Sequence, residues 1–117
     1  MSSTEEVLQR HLRAFGAGDL EGILADYAPD AVFFMPNGAV HKGPAAVRAA
    51  YQAVFAEWGK PGATFAMTHQ RVEGNYAYIV WTAETADNVY ETGSDGFVVE
   101  NGKIAAQFFA GKITPKR

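Results

Sequence analysis

The chain contains no cysteine. That excludes a disulfide framework, a thiolate zinc site and a cysteine nucleophile, and it fits a reducing compartment. No apolar run approaches the roughly 18 residues of a membrane-spanning helix. The N-terminal MSSTEE is acidic and carries no apolar core segment, so no secretory leader is expected. Basic residues are few and scattered: ten Lys and Arg against thirteen Asp and Glu give a net charge of −3. They gather only at Lys112, Lys116 and Arg117, and a phosphate-binding surface needs a concentrated basic face. His11, His41 and His69 show no metal-ligand spacing. No G-x-S-x-G elbow is present. The expectation is a cytoplasmic protein with no metal, no cofactor, and neither nucleic acid nor membrane as partner.

What is abundant is aromatic. Eight Phe, five Tyr and two Trp in 117 residues supply either a core of large flat groups or a pocket lined by them. The length predicts a single domain, 1–117.

Ser3 with Glu6 three residues on reads as a capping box, followed by Val7, Leu8, Leu12 and Phe15 at helical spacing. His11 falls within that stripe, and Gly16 and Gly18 end the helix. Asp19 caps a second helix with the stripe Leu20, Ile23, Leu24 and Tyr27, stopped at Ala28-Pro29. A short strand from Ala31 to Met35 ends at the turn Pro36-Asn37-Gly38, and Ala39 to Lys42 returns as its hairpin partner. Gly43-Pro44 opens a third helix with Val47, Ala50, Tyr51, Val54, Phe55 and Trp58 on one stripe. The period then changes to two. Strands are predicted over 64–73, 76–85, about 89–100 and 103–113, with bulges or kinks at Gly93 and Gly96 and a hairpin turn at Asn101-Gly102. Helices followed by a meander indicate an α+β fold.

The order helix, A-G-D-L-E-x-I-L-x-x-Y-A-P-D-A-V-F, P-x-G turn, K-G-P-x-A-V-R resembles the nuclear transport factor 2-like superfamily, in its SnoaL-like and ketosteroid-isomerase-like branch. The resemblance spans about Val7 to Lys112. It implies a cone of three N-terminal helices packed in a curved antiparallel sheet with a short inserted hairpin, an apolar pocket at the open end, and often a homodimer.

The resemblance also implies site residues. Steroid isomerases of this group use a carboxylate base, a tyrosine and an aspartic acid kept protonated by its apolar site. The tyrosine position is His11, the base position before Pro36 is Met35, and the acid position before Phe97 is Asp95. A thioether cannot abstract a proton, so the family's usual base is missing.

Asp95 reads as a polar pocket floor or as a turn residue of Gly93-Ser94-Asp95-Gly96. His11 reads as a core histidine or as the partner of Asp95 in an acid–base pair. Phe33 and Met35 share one strand phase and read as pocket wall or core. Tyr27, Tyr51, Phe55 and Trp58 sit at helical spacing, again as core or lining. Trp81 faces the cavity or a dimer partner. Phe97, Gln107 and Phe109 look inward, and an inward Gln needs a partner. His69, in phase with Phe65 and Met67, is a third polar candidate. His41, near a turn, is expected in solvent.

The primary expectation is a binder or enzyme for a small apolar or aromatic ligand, with His11 and Asp95 as catalytic candidates for proton transfer next to a carbonyl. An isomerase- or polyketide-cyclase-like activity follows from the resemblance. The alternative is a non-catalytic dimerisation or association module working through the outer sheet face, where Tyr76, Tyr78, Val80 and Thr82 alternate outward. A further alternative is epoxide hydrolysis with Arg71 in an Asp-Arg-Asp set.

Overall fold

The computed structural model describes residues 3–116. Helix α1, Thr4–Ala17, begins at the predicted capping box: Ser3 Oγ accepts from the Glu6 amide at 3.1 Å and Glu6 Oε1 accepts from the Ser3 amide at 2.8 Å. It ends where Gly18 adopts a left-handed conformation, φ 66°. Its buried residues Thr4, Val7, Leu8 and His11 fall on one face at helical spacing. Histidine therefore takes the last place of a stripe whose centre, Val7 and Leu8, is apolar.

Helix α2, Leu20–Ala25, is capped by Asp19, whose side chain accepts from the Gly22 amide. It ends earlier than the proline signal predicts, and Tyr27 lies in strand β1, Tyr27–Phe34, not on a helical stripe. Long-range pairing wins here. Asp26 O accepts from the Ile104 amide at 2.7 Å, Tyr27 pairs with Ile104, and Arg10 forks onto the Asp26 carboxylate at 2.8–3.2 Å. The sheet captures the chain before Pro29 is reached. Strand β2, Val40–Lys42, closes the inserted hairpin, and helix α3, Pro44–Trp58, starts with proline in its first turn.

Strands β3 (Thr64–Glu73), β4 (Tyr76–Glu84), β5 (Asn88–Glu100) and β6 (Lys103–Pro115) form the meander. The sheet order is β2-β1-β6-β5-β4-β3. Every pairing is antiparallel except β1–β6, which is parallel. Asn101 and Gly102, at φ 54° and 74°, make the tight β5–β6 turn the Asn-Gly pair predicts. The core joins Val7, Leu8, Ile23, Val47 and Tyr51 of the helices to Phe33, Ile79, Phe97, Val99 and Ile104 of the inner sheet face. The result is the α+β cone. Among the described residues no helix is long and apolar enough to cross a membrane.

Bulges in β3 and β5 decide which of their side chains face inward. In β3 the register shifts between Met67 and His69. Thr68 is the extra residue, so the strand phase inverts after it. Gln70 and Val72 then oppose the buried Ile79 and Ala77, while His69 and Arg71 turn outward and are exposed. In β5 the shift lies between Tyr90 and Thr92, against both neighbours' ladders. It lets Tyr90 share the inner face with Gly93, Asp95, Phe97 and Val99 despite the odd spacing. The predicted break at Gly93 is thus displaced by two residues.

Candidate functional site

Between the helices and the inner sheet face lies a cavity of about 460 Å³, within the range that holds a small organic ligand. His11, Leu12 and Phe15 reach it from α1, and Phe33, Met35 and His41 from the hairpin. Tyr51, Val54, Glu57 and Trp58 face it from α3, and Ile79, Trp81, Tyr90, Asp95, Gln107 and Phe109 from the sheet. Among the described residues, no lysine or arginine lines it.

The floor is a connected polar set. Gln107, 2% exposed, donates from Nε2 to Asp95 Oδ1 at 2.9 Å. Its Oε1 accepts from the hydroxyls of Tyr27 and of Tyr51, the latter at 3.0 Å. The two tyrosine hydroxyls are themselves 2.8 Å apart. Trp81 Nε1 donates to Asp95 Oδ2 at 3.1 Å. The Gln amide is therefore fixed, with oxygen toward two phenols and nitrogen toward the carboxylate. Burial pushes the Asp95 carboxyl up to about 6, against the pull of the Gln107 and Trp81 hydrogen bonds. Burial also holds the phenols of Tyr27 and Tyr51 above their ordinary range.

His11 is 5% exposed and stands edge-on to Tyr27, Tyr51 and Phe97, with ring centroids 5.2–6.1 Å away. Its Nδ1 is buried with no hydrogen-bond partner among the described residues. Burial pulls the imidazole down to about 4, opposed by the charge of Asp26. His11 and Asp95 thus line one cavity without pairing: both Asp95 oxygens bond to Trp81 and Gln107. The expected orienting His–Asp hydrogen bond is absent.

The structure brings together His11, Asp95, Phe33, Met35, Tyr51, Trp58, Trp81, Gln107 and Phe109 as lining. Four expected lining residues stand elsewhere. Tyr27 lies behind the floor and acts through Gln107. Phe97 packs behind His11, and Phe55 packs on Phe15 and Tyr51. His69 is on the outer face because of the Thr68 bulge. Arg71 is exposed on that same face, its Nη1 bonded to Gln70 O, so no Asp-Arg-Asp set surrounds the cavity and the epoxide reading falls. His41, expected in solvent, pairs with Phe33 in the hairpin ladder and lines the cavity half-buried.

Sequence reading missed a second polar group. Glu57 Oε2 accepts three hydrogen bonds, from Thr85 Oγ1 at 2.7 Å, Asn88 Nδ2 at 2.8 Å and Tyr90 OH at 2.7 Å. A signal was available: Glu57 follows Ala50 by seven residues and Val54 by three, a charge in phase with an apolar stripe. Among the described residues no three His, Asp or Glu side chains group as metal ligands.

Comparison with known proteins adds the following. A profile of the SnoaL-like domain family matches residues 8–107. No curated protein sequence matches the chain. A nuclear transport factor 2-like protein of unknown function from Burkholderia pseudomallei superposes with a TM-score of 0.79 at 20% identity, covering 96% of this chain and 92% of that one. A candidate polyketide cyclase from Sinorhizobium meliloti gives 0.73 at 20% identity, over 89% and 93%. A candidate ketosteroid isomerase from Kribbella flavida gives 0.76 at 16% identity, over 93% and 77%. At these identities the likeness establishes the fold and leaves the chemistry to the site.

Proposed function

Because this chain belongs to the SnoaL-like domain family, within the nuclear transport factor 2-like superfamily, we propose that it is a proton-transfer enzyme of the isomerase or cyclase kind. Its substrate is a small apolar molecule bearing a carbonyl. The observation that carries this reading is the Asp95 carboxylate, held by two hydrogen bonds on the floor of an aromatic cavity and raised to about 6. A base of that strength is mostly ionised at neutral pH yet strong enough to take a proton. Met35 leaves the family's usual base position empty of chemistry, and Asp95 supplies the missing function from the sheet.

In the proposed step Asp95 removes a proton from the carbon next to the carbonyl. The electron pair of that C–H bond moves into the new C–C double bond, and the carbonyl electrons move onto oxygen. The enolate oxygen then takes a hydrogen bond from His11. An imidazole pulled down to about 4 is neutral at physiological pH and serves as donor, not as base. The proton on Asp95 returns to a different carbon or to the same one. In this reading Asp95 is the base and His11 the hydrogen-bond donor. Deuterium exchange into a panel of planar cyclic ketones tests it, with Asp95→Asn predicted to abolish the exchange.

A second, compatible reading rests on the outer sheet face. There Phe34 and Phe108 stack with centroids 5.0 Å apart and planes within 5°. Tyr76 and Tyr78 stand 64% and 45% exposed beyond them. An apolar sheet face of this kind supports a homodimer formed face to face. Sedimentation at micromolar concentration tests it: a monomer removes this reading.

A further inference from the structure

The Glu57 end of the cavity is occupied by nothing in the proposed proton transfer. Three donors converge on its Oε2, which fixes the carboxylate. Its Oε1 makes no hydrogen bond to any described residue, although Glu57 is half-buried and lines the cavity. Aromatic rings surround this end. Trp58 and Tyr90 have centroids 5.2 Å apart, Trp58 and Trp81 5.7 Å, Trp81 and Tyr90 5.4 Å, and Phe65 and Trp81 5.5 Å. Lys60, three residues on, is ion-paired with Asp87 at 2.8 Å. Two carboxylates and no lysine or arginine lining the cavity reject an anionic ligand and favour a cationic one.

We infer that Glu57, with Trp58, Tyr90 and Trp81, forms an ammonium subsite, and that the cavity takes an amine carried on a flat apolar frame. A carboxylate oxygen with no protein donor, in a cavity end lined by aromatic rings, is the chemistry that recognises a protonated amine: a charge-assisted hydrogen bond plus cation–π attraction. Tyr90 and Asp95 stand opposite Ala83 and Ile79, four positions apart on β4 and about 13 Å along the strand, so the amine end is displaced from the reacting end with the Trp81 ring between them. This inference rests on the cavity being the substrate site and is independent of which group moves the proton.

The test uses three probes on one indole frame: tryptamine, tryptophol and indoleacetate. Binding is measured by calorimetry at neutral pH to wild type, Glu57→Gln and Asp95→Asn. Wild type should bind tryptamine about tenfold tighter than tryptophol, with indoleacetate weakest. Glu57→Gln should bring tryptamine to the tryptophol level and leave tryptophol unchanged, while Asp95→Asn keeps the preference. Equal affinities in wild type overturn the inference without any variant, which covers the case where Glu57→Gln fails to fold. A preference that survives Glu57→Gln but vanishes in Asp95→Asn also overturns it and puts the cation at the floor. Absence of binding by all three probes overturns it too, and ketone exchange by Asp95 is then judged separately.

Discussion

Gly93 stands opposite Trp81 in the β4–β5 ladder, and a Cβ on Gly93 would lie 2.4 Å from the indole Cζ2. The missing side chain is what lets the indole cross the strand and reach Asp95, two residues further on, at 3.1 Å. The floor of the cavity therefore depends on a residue that makes no polar contact with it.

Gly93→Ala should push the Trp81 ring aside and break its bond to Asp95. Overpacking of this kind costs about 1–3 kcal/mol. Losing a hydrogen bond that lowers the Asp95 pKa should also raise it further. Denaturant unfolding followed by tryptophan fluorescence reads the first effect. Carboxyl titration by NMR reads the second; an unchanged Asp95 titration would show that the Trp81 bond is immaterial.

Gln107→Leu should be more costly than its size suggests. It leaves two buried tyrosine hydroxyls and one Asp95 oxygen without their shared partner, at about 1–3 kcal/mol for each group left unsatisfied. Equilibrium unfolding should show a loss well above that of an exposed Gln→Leu change. A neutral effect would mean the floor repacks around apolar contacts.

The two buried titratable groups should oppose each other in pH dependence. Asp95 is raised from 3.8 to about 6, so the fold binds its proton more tightly than the unfolded chain does. Its contribution is greatest below about 4 and is lost as pH rises through about 6. His11 is lowered from 6.5 to about 4, so its contribution is present above 6.5 and lost as pH falls through about 4. Between pH 4 and 6, Asp95→Asn should gain stability relative to wild type as pH rises, by on the order of 2–3 kcal/mol across the window. His11→Phe should lose stability relative to wild type as pH rises across the same window. Unfolding free energies at several pH values measure both; parallel curves for the three proteins would refute the burial argument.

Much of the architecture was legible because local chemistry and long-range structure agreed. The capping box at Ser3 and Glu6, proline opening α3, and the Asn101-Gly102 turn are short-range devices, and each appears where its residues stand. The end of α2 was illegible because pairing of Tyr27 with Ile104 overrides the Pro29 stop. The faces of His69 and Tyr90 are not legible in the sequence for one reason: a bulge inverts the phase of a strand, and neither Thr68 nor Glu91 announces one. In the sequence Asp95 is marked by the family resemblance, whereas Glu57 is marked by its helical phase.

Phe108→Lys should dissociate the homodimer proposed for the outer face, since it places a charge in the Phe34–Phe108 stack. Sedimentation should show a dimer for wild type and a monomer for the variant. Identical sedimentation of the two would remove Phe108 from any interface.

The most direct test of the central claim is deuterium exchange at the carbon next to the carbonyl, followed by NMR for planar cyclic ketones with wild type and Asp95→Asn. Wild type should catalyse exchange with at least one ketone, with a pH profile rising through about 6 as Asp95 ionises. Asp95→Asn should lose at least about a hundredfold of that rate, while its fold, read by circular dichroism, is kept. Exchange that persists in a folded Asp95→Asn protein would contradict the account and move the base elsewhere in the cavity.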